Sequence, residues 1–199
     1  MNPQKQDFDM LFSGLERLGQ QLSDDVMKEI KSAAQLCTFK KGNPVLAYDD
    51  APEKVYYITQ GMVVIKYRVD ERESVRHFML EGDIFVSGRQ LFRLLKKAHN
   101  IIALENTRCL TMDRAMLIEM SGLHPSLETV RRLYMERYCV HYDDKQYIVT
   151  MSPKKRREYM LAQYPQIFHR ADDHHLALYL EMKENTLKLI REEMLRKTQ

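Results

Sequence analysis

Apolar positions along the chain change their period twice, and the changes divide it into three stretches. Near the start, Leu11, Phe12, Leu15 and Leu18 recur at helical spacing, and Ser23 ahead of Asp24 and Asp25 is placed to cap a helix running through Ile30 and Ala34. From Leu36 the repeat shortens. Runs rich in β-branched and aromatic residues, at 55–58, 62–67 and 75–80, alternate with turn-forming clusters such as Lys41-Gly42-Asn43-Pro44, Gln60-Gly61 and Glu81-Gly82-Asp83. Two more runs, 101–104 and 109–112, extend this pattern to about residue 113. Short strands at such close spacing predict an antiparallel sandwich or barrel. Within 88–100, Leu91, Phe92, Leu94 and Leu95 suit a short helix inserted into it.

After Asp113 the period returns to 3.6. Pro125 is suited to the first turn of a helix reaching about Ile148. Leu127, Val130, Tyr134, Tyr138 and His141 trace an apolar-to-aromatic stripe along it. A helix of that length with such a stripe predicts pairing with a second copy, although Arg137 and Asp144 interrupt the pattern. A single helix packed on its own barrel is the alternative. Ser152-Pro153 then opens a helix that Tyr164-Pro165 ends, and the remainder splits around Glu181-Met182-Lys183 into two helical pieces. The first carries Leu176, Ala177 and Leu180; the second carries Leu187, Ile190 and Met194. That size and spacing predict a helix-turn-helix. The expected fold is α+β, with domains at 1–150 and 151–199.

With 44% hydrophobic and 30% charged residues over 199 positions, the chain has the ordinary balance of a folded protein with a sizeable core. No run approaches the roughly 18 apolar residues of a membrane span, and the polar start is unlike a secretory leader. Cys37, Cys109 and Cys139 lie far apart without a C-x-x-C pair, so a reducing cytoplasm is the expected setting. They are too few and too scattered for an iron–sulfur cluster. His77 is a conceivable haem ligand, but a lone strand histidine reads first as a core residue. A cupin-like metal enzyme would need a His-x-His pair, and the chain has only the adjacent His174-His175. With neither a G-x-S-x-G elbow nor a phosphate-binding glycine loop, no catalytic or metal-ligating residue is assigned.

Charge is unevenly placed. The 31 basic and 28 acidic residues give a net +3, yet residues 1–150 hold 21 of each sign and 151–199 hold 10 basic against 7 acidic. The whole excess therefore sits in the helix-turn-helix segment, an asymmetry that can mark a nucleic-acid-binding segment, a solvated helix surface being the alternative. Lys154-Lys155-Arg156-Arg157 at a helix start adds a further expected anion contact.

The segments 55–61, Leu80-Glu81-Gly82-Asp83-Ile84-Phe85 and Ala103-Leu104-Glu105 stand in fixed order ahead of Tyr164-Pro165, Arg170, Leu176-Ala177 and Thr186-Leu187. In that order they resemble the Crp/Fnr family of bacterial transcription regulators, and the compact Bacteroidetes form in particular. The resemblance implies a β-roll sensor of the double-stranded β-helix type and a long dimerisation helix. It further implies a winged-helix-like helix-turn-helix domain, a homodimer binding DNA, RNA polymerase as a further partner and a small-molecule effector. The effector pocket would be marked by Phe85, Val86, Ser87, Arg89 and Lys97. Val86 and Ser87 replace the family's Gly-Glu, and Lys97 stands near its phosphate-binding Arg, so a cyclic nucleotide is not the expected effector.

On the DNA side, Lys183, Asn185, Thr186, Lys188 and Arg191 occupy the start of the recognition helix. There Asn185 suits adenine, and Lys188 and Arg191 suit guanine or phosphate. The alternative for the last two is a solvated face paired with Glu184 and Glu192. Glu181 stands where the family has a turn glycine, and Leu189 where it has a base-reading Arg. A regulator acting through protein contacts alone is the corresponding alternative function.

Overall fold

The computed structural model describes residues 3–46, 54–70, 72–86 and 99–197. Two helices, α1 (Pro3–Arg17) and α2 (Asp24–Ala33), precede eight strands: β1 (Gln35–Phe39), β2 (Pro44–Leu46), β3 (Lys54–Gln60), β4 (Val63–Val69), β5 (Arg72–Met79), β6 (Ile84–Val86), β7 (His99–Ala103) and β8 (Thr107–Asp113). They form two antiparallel four-stranded sheets, ordered β1-β8-β3-β6 and β2-β7-β4-β5. This is the jelly-roll form of the expected β-roll. The helix expected within 88–100 falls mainly outside the described residues. Ser23 caps α2 as its sequence suggests, its hydroxyl accepting from the Val26 amide at 3.4 Å. Gly61 joins β3 to β4 at φ 93, and a Cβ there would lie 2.7 Å from the Asn106 carbonyl oxygen, so only glycine fits.

The consecutive apolar residues of β4 are buried on both faces. Val63 and Ile65 point into the roll with Ile58, Met79, Phe85 and Ile101. Met62 and Val64 point the other way, into a core shared with the C-terminal helices. The first sheet is covered differently: Tyr57, Leu110 and Met112 meet Phe8, Leu11 and Leu15 of α1 and Val26 and Ile30 of α2. Asp7, buried at the foot of α1, is held by the Arg108 guanidinium at 2.5 Å.

Two helices then cross the roll, α3 (Arg114–Leu123) and α4 (Pro125–Thr150), the latter opened by Pro125 in its first turn. With 26 residues α4 is about 39 Å long. Its apolar stripe packs against the rest of the chain, as the alternative reading of a helix laid on its own barrel has it. Leu127 and Val130 are buried with α1, α2 and α3. The Tyr134 hydroxyl donates to the Gly82 carbonyl at 3.1 Å, Tyr138 lies against Arg76, and His141 packs 4.8 Å from His77. Periodicity registers that a face is covered without saying by what. Even the interruptions have partners within the chain: the exposed Arg137 pairs with Asp83 at 3.3 Å, and Asp144 accepts hydrogen bonds from the Tyr159 and Tyr164 hydroxyls. The opposite side of α4 exposes Val140, Tyr142 and Tyr147.

The C-terminal segment forms α5 (Pro153–Gln163), α6 (Pro165–Arg170), α7 (Asp173–Tyr179) and α8 (Glu184–Lys197). Among its described residues there is no strand, so the winged-helix-like expectation is corrected to an all-helical unit. Pro165 starts α6 directly after Tyr164, and Asp172 caps α7 by accepting from the His175 amide at 2.8 Å, so only Ala171 and Asp172 separate the two helices. Half of the expected basic cluster is also internal. Arg156 donates to the carbonyls of Val149, Met151, Leu180 and Glu181. Arg157 is buried over the Phe168 ring. Only Lys154 and Lys155 face solvent.

Candidate functional site

Between the roll and the helices α3 and α4 lies a cavity of about 740 Å³. Its sheet wall includes Val55, Ile65, Met79 and Phe85, and its helical wall includes Leu117, Ile118, Leu127 and Val130. Of the expected effector residues, Phe85 and Val86 line this space, whereas Ser87, Arg89 and Lys97 lie outside the described residues. Tyr134 and Tyr138, read from the sequence as part of a dimer face, line it too. The polar groups are few. Glu128 and Arg131 bind each other through two hydrogen bonds of 2.7 and 2.5 Å, and the Ser121 hydroxyl donates to the Leu117 carbonyl at 2.8 Å.

Beside the cavity, His77 is buried beneath His141 and Tyr138. Burial pushes its pKa from 6.5 down to about 3, helped by the neighbouring His141, Arg137, Arg76 and Lys145. It is a neutral packing residue at ordinary pH. Among the described residues, no three His, Cys, Asp or Glu side chains converge to hold a metal.

The helix-turn-helix is formed by α7, residues 180–183 and α8. Leu176, Leu180 and Leu187 lock the two helices together and are fully buried. Glu181 takes a left-handed φ of 50 where a glycine was expected. Two cations fix this turn. Arg156 binds the Leu180 and Glu181 carbonyls at 2.6 and 3.0 Å, and the buried Lys145 ammonium of α4 lies 3.8 Å from the Glu181 carboxylate while donating to the Val75 carbonyl at 2.5 Å. Sequence reasoning missed both, since nothing local links residues 145 and 156 to 181.

Lys183 ahead of α8 and Asn185, Lys188 and Leu189 on it face solvent, and Thr186 is half-buried; the Arg191 side chain lies outside the described residues. Lys188 pairs with Glu184 at 2.7 Å, which is the solvated-face arrangement. Leu189 is 61% exposed.

A second bridge joins the helices to the roll. The Arg170 guanidinium donates to Glu81 twice at 2.8 Å and to Glu105 at 2.9 and 2.6 Å, while the Gly61 amide donates to Glu81 at 2.7 Å. Partial burial works against ionisation of Glu81, yet Arg170 and the Gly61 amide hold its pKa below the usual range.

Residues 36–122 match the cyclic nucleotide-binding domain family. No curated protein matches the chain by sequence. Among solved structures, FixK2 from Bradyrhizobium japonicum superposes with a TM-score of 0.68 at 17% identity, over 83% of this chain and 86% of its own. A protein described as a Crp/Fnr-family transcriptional regulator from Eubacterium rectale gives 0.70 at 14% identity, over 88% and 85%. A CooA mutant from Carboxydothermus hydrogenoformans gives 0.67 at 13%, over 92% and 84%. At these identities the likeness is one of fold, and it extends along most of each chain.

Proposed function

We propose that this chain, a cyclic nucleotide-binding domain carried in the Crp/Fnr architecture, is a DNA-binding transcription regulator that works as an effector-modulated homodimer in the cytoplasm. The observation that carries the reading is the C-terminal helix-turn-helix, whose second helix is anchored by Leu187 and turns Asn185 and Lys188 outward, with Lys183 exposed in the turn before it. No helix among the described residues is long and apolar enough to cross a membrane. Because the stripe of α4 is occupied by its own roll, the second copy is assigned to the opposite face, at Val140 and Tyr147. An effector bound beside α4 would bias the arrangement of two such helices, and so the spacing of the two α8 helices, by its differential affinity for the two arrangements. A promoter-bound dimer would have RNA polymerase as its neighbour.

The test is salt-dependent binding to the promoter region upstream of the chain's own gene. Lys188→Ala is expected to weaken binding and lower the salt slope by about 1, as for a lost phosphate contact. Asn185→Ala is expected to cost about 1–3 kcal/mol and relax base preference. Arg191→Ala serves as a third probe of the same surface. Unchanged affinity in all three, or no DNA retention at low salt, rejects the reading in favour of a regulator acting by protein contacts. Val140→Glu is expected to dissociate the dimer in sedimentation at unchanged helicity.

A further inference from the structure

We propose that the cavity between the roll and helices α3 and α4 takes an apolar acid, meaning a hydrocarbon or aromatic body bearing one carboxylate, in place of a cyclic nucleotide. The inference rests on the reading above, since it names the class of effector for that regulator. The volume of about 740 Å³ is that of a small-molecule site. Its walls select against a nucleoside. A ribose diol and a purine edge bring several polar atoms, each of which costs free energy if buried without a partner. The few polar side chains there already have partners within the chain: the Tyr134 hydroxyl donates to Gly82, the Ser121 hydroxyl to Leu117, and the Glu128 carboxylate accepts from Arg131.

The charge that borders the cavity is positive. Among the described residues, Arg76, Arg114 and Arg131 line it against the single carboxylate of Glu128. In a site with so little polar surface, cations at the wall raise the local concentration of anions, and a desolvated carboxylate is tolerated only beside such cations. An apolar body satisfies the walls, and one carboxylate satisfies the field.

The experiment is calorimetry on the full chain with dodecanoate, dodecanol and cyclic AMP. One dodecanoate per chain is expected at micromolar affinity, with dodecanol at least about tenfold weaker and cyclic AMP giving no heat. Ile118, 52% exposed at the cavity, can be changed without threatening the core. Ile118→Glu is expected to weaken dodecanoate at least about tenfold at an unchanged melting temperature, whereas Leu189→Glu, at an exposed apolar residue elsewhere, leaves it unchanged. Since the chain contains no tryptophan, Ile118→Trp supplies a reporter whose emission should shift saturably with dodecanoate.

Micromolar binding of cyclic AMP overturns the assignment, and so does dodecanol binding as tightly as dodecanoate. So too does dodecanoate that responds to Leu189→Glu but not to Ile118→Glu. DNA retention without dodecanoate binding overturns the ligand class alone and leaves the regulator standing. Dodecanoate binding without DNA retention supports the cavity and removes the regulator.

Discussion

Glu181 stands in a backbone conformation that a side chain raises by about 1 kcal/mol over glycine, and its φ of 50 fixes the corner between α7 and α8. Its carboxylate is half exposed and 3.8 Å from Lys145, so the pair returns no more than about 1 kcal/mol. The two effects nearly cancel. Glu181→Gly is therefore expected to shift unfolding in urea by less than about 0.5 kcal/mol, and Glu181→Ala, which keeps the strain without the pair, to fall about 1 kcal/mol below the glycine variant. Equal stability of the two variants would show that the turn is unstrained. The sequence pattern marked this position as a turn out of its usual residue type. What it could not carry was Lys145, which is 36 positions away and reaches the turn only through the fold.

Among the elements, α4 shows where periodicity stops being informative. Its start at Pro125, its length and its covered face were all legible, because capping and a 3.6-residue repeat are local properties. The covering surface was not. The chain entering β4 held a signal of it, since Met62, just before the strand, and Val63, Val64 and Ile65 within it are apolar without alternation, the mark of a strand buried on both faces. Where α4 crosses β5, His141 and His77 are both held neutral by burial, with Asp83, Arg137, Arg76 and Lys145 around them. The unfolded chain takes up protons below about pH 6.5, which the folded His77 refuses until about pH 3, so stability should fall as pH drops through that window. Asp83, whose pKa burial raises, offsets a part of this loss. Melting temperature is expected to decline from pH 7 to pH 5, and His77→Phe to flatten the decline; a flat profile in the unsubstituted protein contradicts the assignment.

For the molecule as a whole, the roll and the C-terminal helices are joined by both charge and packing. Phe78 and Tyr179 meet edge to face at 5.4 Å within a core that also holds Met62, Val75, Leu176 and Ala177. Above it, Arg170 closes on Glu81 and Glu105. Arg170→Met is expected to lower stability by about 2 kcal/mol, since it leaves two half-buried carboxylates facing each other. Amide exchange at α6 and α7 should then quicken more than in the roll, and uniform quickening would show that the bridge is no hinge between the two parts. The charge count had already set the basic excess apart in this segment, and the family pattern had given it helices. That it would lean on the second sheet was legible only in the unbroken apolar run of β4.

The shared core has a consequence for how such a chain can be altered over generations. A sensor and a DNA reader joined by a tether can be exchanged between genes like coupled wagons, each folding on its own terms. Here a cut after residue 150 would strand Met62, Val64, Val75 and Phe78 on an open sheet, and the departing helices would lose the floor they stand on. Recombination that replaces one half must therefore bring a matching apolar face with it.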